Sequence, residues 1–63
     1  MLAEFRLIIT ATFNNVSDRD AAYTALRTQI SNYNTANPAK LKRADMTRDD
    51  YYIPDAQATE RVV

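Results

Sequence analysis

The acidic residues in the second half of the chain are the first candidates for chemistry, because clustered carboxylates bind hard cations. They are Asp45, Asp49, Asp50 and Asp55. A calcium-binding loop needs a central glycine and a terminal glutamate, and the chain contains no glycine. We therefore interpret these aspartates as a solvated turn paired with neighbouring basic side chains, and we predict no metal site.

Residues that commonly carry out catalysis are scarce. The chain has no histidine and no cysteine, so the commonest general base, the thiolate nucleophile and the usual zinc ligands are missing. Ser17 and Ser31 are hydroxyl candidates, but neither has a general base adjacent in sequence. The absence of glycine also excludes the glycine-rich loops that hold phosphates and dinucleotides. We predict no catalytic residues and no cofactor, and therefore a protein that is not an enzyme.

Basic and aromatic residues are concentrated between residues 40 and 52, as in a nucleic-acid surface, where basic groups contact phosphate and rings stack on bases. They are Lys40, Lys42, Arg43, Arg48, Tyr51 and Tyr52. Interleaved aspartates weaken this pattern, and eight basic and eight acidic residues give a net charge of zero, which does not favour a polyanion. Nucleic-acid binding through the Lys40–Arg48 segment and the two tyrosines is the alternative function.

Protein binding is the leading hypothesis. Ile8 lies among polar neighbours near the N-terminus, and Tyr51-Tyr52-Ile53 forms a second apolar cluster. Tyrosine and arginine are enriched at binding hot spots. The predicted binding residues from both readings are Arg6, Ile8, Thr10, Lys42, Arg43, Arg48, Tyr51 and Tyr52.

The whole chain suggests a setting for this binding. It starts with Met1 and has no tag-like tract, so we expect a complete small gene product. No signal peptide is apparent, no apolar run reaches the roughly 18 residues of a membrane span, and the lack of cysteine fits a cytoplasmic location. A short, glycine-free, non-secreted chain resembles the small accessory proteins of bacteriophages, which often bind and inhibit one host protein. The resemblance implies an inhibitor acting in the host cytoplasm.

A first strand is predicted over residues 2–13. Apolar side chains occupy alternate positions there, namely Phe5, Leu7, Ile9, Ala11 and Phe13. Alternation with β-branched and aromatic residues is typical of a strand with one buried face. Ile8 interrupts the pattern because it stands on the polar face.

A helix is predicted over residues 18–33. Ser17 is a good N-cap residue and Asp20 follows three positions later, as in a capping box. One face is apolar and consists of Ala22, Leu26, Ile30 and Tyr33. Asn34 is the expected C-cap, in place of the missing glycine.

The rest of the chain is less regular. Residues 40–46 predict a second strand, whose lysines would blunt edge-to-edge pairing. Residues 47–50 fit either a four-residue turn or the start of a short helix, and we favour the turn because 51–53 suits a third strand. The tail 54–63 either ends in a short strand or frays.

Together these elements predict one α+β domain, 1–63, of β-α-β(-β) type, with one helix packed on one face of a two- or three-stranded sheet. The predicted core comprises the apolar faces of the first strand and the helix, with Leu41 or Met46. One helix leaves a sheet face uncovered, and a chain of 63 residues buries little surface alone. We therefore expect a protein partner, a second copy in a homodimer, or both.

Overall fold

A computed structural model of the chain describes residues 3–50 and 53–63, and their side chains except those of residues 53–57. The elements are one helix, α1 (Val16–Ala36), and two strands, β1 (Asp45–Asp50) and β2 (Ile53–Arg61). The strands form an antiparallel hairpin, and α1 packs against β1. The predicted small α+β fold with one helix on a two-stranded sheet is thereby confirmed.

The helix extends beyond both predicted ends. Its N-cap is Asn15, whose side-chain oxygen accepts the Asp18 N–H at 2.8 Å, so Ser17 lies inside the first turn and is not the cap. Asp18 places negative charge where the helix dipole favours it. At the other end, the N–H of Asn37 donates to the Tyr33 carbonyl at 2.9 Å. Asn34 is helical and was wrongly predicted to be the C-cap.

The hairpin lies later in the sequence than predicted. Residues 47–50 belong to β1 and form neither a turn nor a helix, while residues 40–44 precede the strand. Most of the predicted tail is strand β2. The predicted third strand at 51–53 falls mainly on residues 51 and 52, which lie outside the described residues.

Backbone pairing explains why charged residues form these strands. The register pairs Asp45 with Arg61 and Thr47 with Thr59, whose hydroxyls are 2.9 Å apart, and an irregularity follows between Arg48 and Asp50. The Val62 N–H continues the ladder to the Ala44 carbonyl at 2.8 Å. Ladder hydrogen bonds and cross-strand pairs stabilise a strand whose residues have little intrinsic preference for it.

Tyr23 is the centre of the contact between helix and hairpin. It is 8% exposed and is the one buried residue among those whose burial is described. Its hydroxyl donates to a Glu60 carboxylate oxygen on β2 at 3.0 Å. The Arg48 guanidinium of β1 lies over its ring, 4.3 Å from the centroid, in a cation–π contact. Arg27 completes the cluster by pairing with Glu60 at 2.6 Å.

Ion pairs surround Tyr23. The Asp20 carboxylate accepts from Arg19 and from Arg48, both at 3.1 Å. Arg19 also pairs with Asp50 and donates to the Asp49 carbonyl at 2.7 Å. Partly exposed pairs of this kind contribute up to about 1 kcal/mol each. The contact surface between helix and hairpin is therefore mostly polar, with one aromatic ring at its centre.

The predicted first strand is wrong for the residues described. Residues 3–13 form no hydrogen-bonded strand, and their side chains are exposed. The helix face predicted to pack on them is also uncovered, with Leu26 and Tyr33 exposed and Ala22 and Ile30 half-buried. Alternation indicates which face a strand would bury, but a strand also needs a neighbour for its backbone N–H and C=O groups.

The burial of Tyr23 makes stability depend on pH. Burial, followed by the hydrogen bond and charge of Glu60, raises the pKa of Tyr23 above its ordinary value of 10.0. Folding therefore favours the protonated phenol, so this contribution is fully present below pH 10.0 and is lost as pH rises through the raised pKa. We expect the melting temperature to fall above about pH 10, and to fall less in a Tyr23→Phe variant. Thermal unfolding followed by circular dichroism, below and above about pH 10, checks this prediction. An equal change of melting temperature with pH in wild type and Tyr23→Phe would contradict it.

Candidate protein-interaction surface

Among the residues whose burial is described, the N-terminal segment, residues 3–13, carries the most exposed of the large apolar side chains. Phe5 is 96% exposed, Leu7 88%, Ile8 70% and Ile9 75%. Single exposed apolar residues are normal on a soluble protein, but contiguous apolar patches larger than a few hundred Å² mark interaction sites. Since a large aromatic side chain alone can bury about 150 Å² or more, the segment has the area of such a patch.

The start of the segment lies beside the residues that lead into β1. Glu4 pairs with Lys42 at 2.9 Å. A groove of about 680 Å³ separates residues 3–6 from residues 40–43 and Asp45. Its rim is charged, since Arg6 lies on one side and the Arg43–Asp45 pair, 2.9 Å apart, lies on the other.

The outer edge of β1 is open in the part of the chain that the structure describes, where the sheet has only two strands. Ala44 exchanges backbone hydrogen bonds with Val62 and Val63, so alternation along an antiparallel pair directs the N–H and C=O groups of Asp45 and Thr47 away from β2. An edge of this kind is a template for pairing with another strand.

The helix carries a second uncovered apolar surface. We define the α1 stripe as Ala22, Leu26, Ile30 and Tyr33. Helical spacing places these residues beside the row of Arg19, Tyr23 and Arg27 that contacts the hairpin. Because Leu26 is 48% exposed and Tyr33 is also exposed, the hairpin covers this stripe only in part.

The structure brings some predicted binding residues together and separates others. Arg6, Ile8 and Thr10 are exposed on the N-terminal segment, and Lys42 and Arg43 line the groove beside it. Arg48 lies elsewhere, half-buried, with its guanidinium over Tyr23 and paired with Asp20. Tyr51 and Tyr52 lie outside the described residues.

The sequence pattern did not mark the most exposed large apolar residues of the segment as binding residues. Phe5, Leu7 and Ile9 were assigned to the core, because a period of two indicates a buried strand face without showing what buries it. The signal that marks them as surface is the lack of a second apolar strand in the sequence to pair with them.

The predicted nucleic-acid surface is largely neutralised. Lys42 pairs with Glu4, Arg43 with Asp45, and Arg48 with Asp20. Carboxylates this close cancel the field that would attract phosphate. No group of three or more acidic residues that could hold a metal ion occurs in the part of the chain that the structure describes.

Comparison of the chain with protein-family models, with curated proteins and with solved structures gives no match. Within residues 3–50 and 53–63, no helix is both long and apolar enough to cross a membrane.

Proposed function

We propose that this chain is a non-catalytic protein-interaction module whose binding element is the N-terminal segment. The observation that supports the proposal is the exposure of Phe5, Leu7, Ile8 and Ile9 side by side in one segment. Apolar surface of this extent is stabilised when a partner removes it from water, at roughly 25 cal/mol per Å².

The sequence pattern of the segment supports strand addition as the mode of binding. In strand addition, backbone hydrogen bonds to a partner's sheet edge give affinity and alternate side chains give specificity. Phe5, Leu7 and Ile9 would pack on one face of the partner's sheet, and Ile8, which lies between Arg6 and Thr10, would pack on the other face. The partner therefore presents an open sheet edge beside an apolar surface.

The specific form of the proposal is a cytoplasmic inhibitor of a host protein, of the bacteriophage accessory type. A segment that occupies a sheet edge can block an assembly that uses the same edge. A second copy of the chain is an additional partner, because the open edge of its β1 is a sheet edge to which the N-terminal segment could be added.

Substitution of Ile8 by aspartate tests the proposal. We expect the tagged wild-type protein to recover one protein in near-stoichiometric amounts from nuclease-treated bacterial lysate, read by mass spectrometry. Ile8→Asp should reduce recovery at least about tenfold, because binding would bury an unpaired charge and lose apolar contact. Thr12→Asp is the matched control, since it adds the same charge to an exposed residue of the same segment.

Two results would contradict the proposal. Equal recovery by wild type and Ile8→Asp would place the interface outside the segment. Recovery of ribosomal and DNA-bound proteins that disappears with nuclease and falls steeply with salt would favour nucleic-acid binding through residues 40–48.

A further inference from the structure

We infer that the N-terminal segment closes reversibly onto its own chain, as a third strand on the open edge of β1 and against the α1 stripe, and that a partner must compete with this closure. The inference rests on the proposed function, because it describes the regulation of the same segment. The open arrangement described above is then the binding-competent form.

The start of the segment lies beside the start of β1, and its end leads into the helix turn that contacts the far end of β1. Glu4 is held beside Lys42, just before the strand. The segment leads to the N-cap Asn15, and Arg19, one turn into the helix, binds Asp49 and Asp50 at the far end of the strand. The segment therefore runs in the same direction as β1.

The lengths match. At about 3.3 Å per residue, residues 3–13 can span on the order of 33 Å, and residues 42–50 need about 26 Å. Asn14 and Asn15 make a short link to α1, as is usual between a strand and the following helix. Closure therefore requires no change in α1 or in the hairpin.

The closed arrangement has ordinary topology. A parallel pair of strands needs a crossover of a dozen or more residues, usually a helix, and α1 with 21 residues supplies it. Such crossovers are almost always right-handed. The helix packs against β1, so it lies close to the edge on which a third strand would be added.

The two uncovered apolar faces complement each other. Phe5, Leu7 and Ile9 project from one side of the closed strand, and the α1 stripe with Leu26 and Tyr33 lies on the side that would receive them. Closure removes both faces from water and gives the free backbone groups of Asp45 and Thr47 partners in the ladder. The same closure hides the surface that a partner would bind.

Ile8 allows closure and partner binding to be separated. It lies on the opposite side of the strand from Phe5, Leu7 and Ile9, so it contacts a partner without contributing to closure. Leu26 has the reverse role, because it belongs to the stripe and not to the proposed interface. Since the apparent Kd is the intrinsic Kd divided by the open fraction, weakening closure must strengthen partner binding.

The test is hydrogen exchange on the full chain, with wild type, Leu26→Asp and the control Thr28→Asp, whose site is on the exposed side of α1 away from the stripe. We expect the alternate backbone amides of residues 6–12 that face β1 to exchange at least about tenfold more slowly in wild type and Thr28→Asp than in Leu26→Asp. Exchange in α1 and β2 should stay alike in all three, whereas the amides of Asp45 and Thr47 should follow residues 6–12. Leu26→Asp should also bind the recovered partner about tenfold more tightly than wild type.

Fast exchange of residues 6–12 in wild type, equal to that in Leu26→Asp, would overturn the inference. Slow exchange that depends on concentration, with a dimer in sedimentation velocity, would also overturn it, because the segment would then dock on a second copy. Slow amide exchange in residues 6–12 that is lost in Leu26→Asp, in a protein that recovers no partner from lysate, would sustain the closure while the proposed function fails. Recovery of a partner that is lost in Ile8→Asp, together with fast exchange of residues 6–12 in wild type, would sustain the proposed function while the inferred closure fails.

Discussion

Replacement of Tyr23 by alanine is expected to separate the hairpin from the helix. Tyr23 is the one buried side chain where burial is described, and it receives the Arg48 guanidinium while it donates to Glu60. Removal of a buried aromatic ring loses its transfer free energy and leaves a cavity. In a chain this small, we expect the melting temperature to fall by on the order of 10 °C or more.

Two substitutions control this experiment. Tyr23→Phe keeps the ring under Arg48 and loses only the hydroxyl, so its melting temperature should fall much less. Tyr33→Ala removes an equally large residue from the same helix at an exposed position. Its melting temperature should fall less than that of Tyr23→Ala. If Tyr33→Ala is the more damaging, the stripe and not Tyr23 is the main support of the fold.

Conversion of Phe5, Leu7 and Ile9 to serine is expected to abolish partner binding. Each apolar side chain that moves from exposed to buried contributes about 1.5–3 kcal/mol. Three of them therefore amount to at least about 4 kcal/mol, or roughly a thousandfold in Kd. Calorimetric titration of the partner recovered by wild type measures the loss.

The matched control for the triple variant is Thr10→Ser with Thr12→Ser. It changes the same segment without removing large apolar groups, so the partner's Kd should stay within about threefold of wild type. A triple variant that binds as tightly as wild type would show that the exposed apolar residues are not the interface. The hairpin or the helix would then have to supply the contacts.

The helix could be predicted from the sequence because its signals are local. Ser17 and Asp20 before a run of periodic apolar residues predict a helix start, and Asn34 predicts its end. Both cap assignments were wrong and the helix extends beyond both predicted ends, because several neighbouring residues, such as Asn15, Ser17 and Asp18, suit a helix start. The α+β class followed from one such helix beside segments with a period of two.

The identity of the strands was decided by tertiary structure. Residues 45–50 are mostly polar, and β2 contains Pro54 and Asp55, so neither resembles a strand by composition. They are strands because each provides the other with backbone partners, and Pro54 stands close to the start of an edge strand, where proline is tolerated.

The core and the candidate site were decided in the same way. Tyr23 was not singled out by its position in the apolar pattern, yet it is buried because Arg48 and Glu60 approach it from two different strands. Phe5, Leu7 and Ile9 have the pattern of a core strand and are exposed. The sequence by itself determined which residues share a face and where the helix lies, since these depend on neighbours along the chain. Which faces are covered depends on contacts between distant residues, and that only the tertiary structure decided.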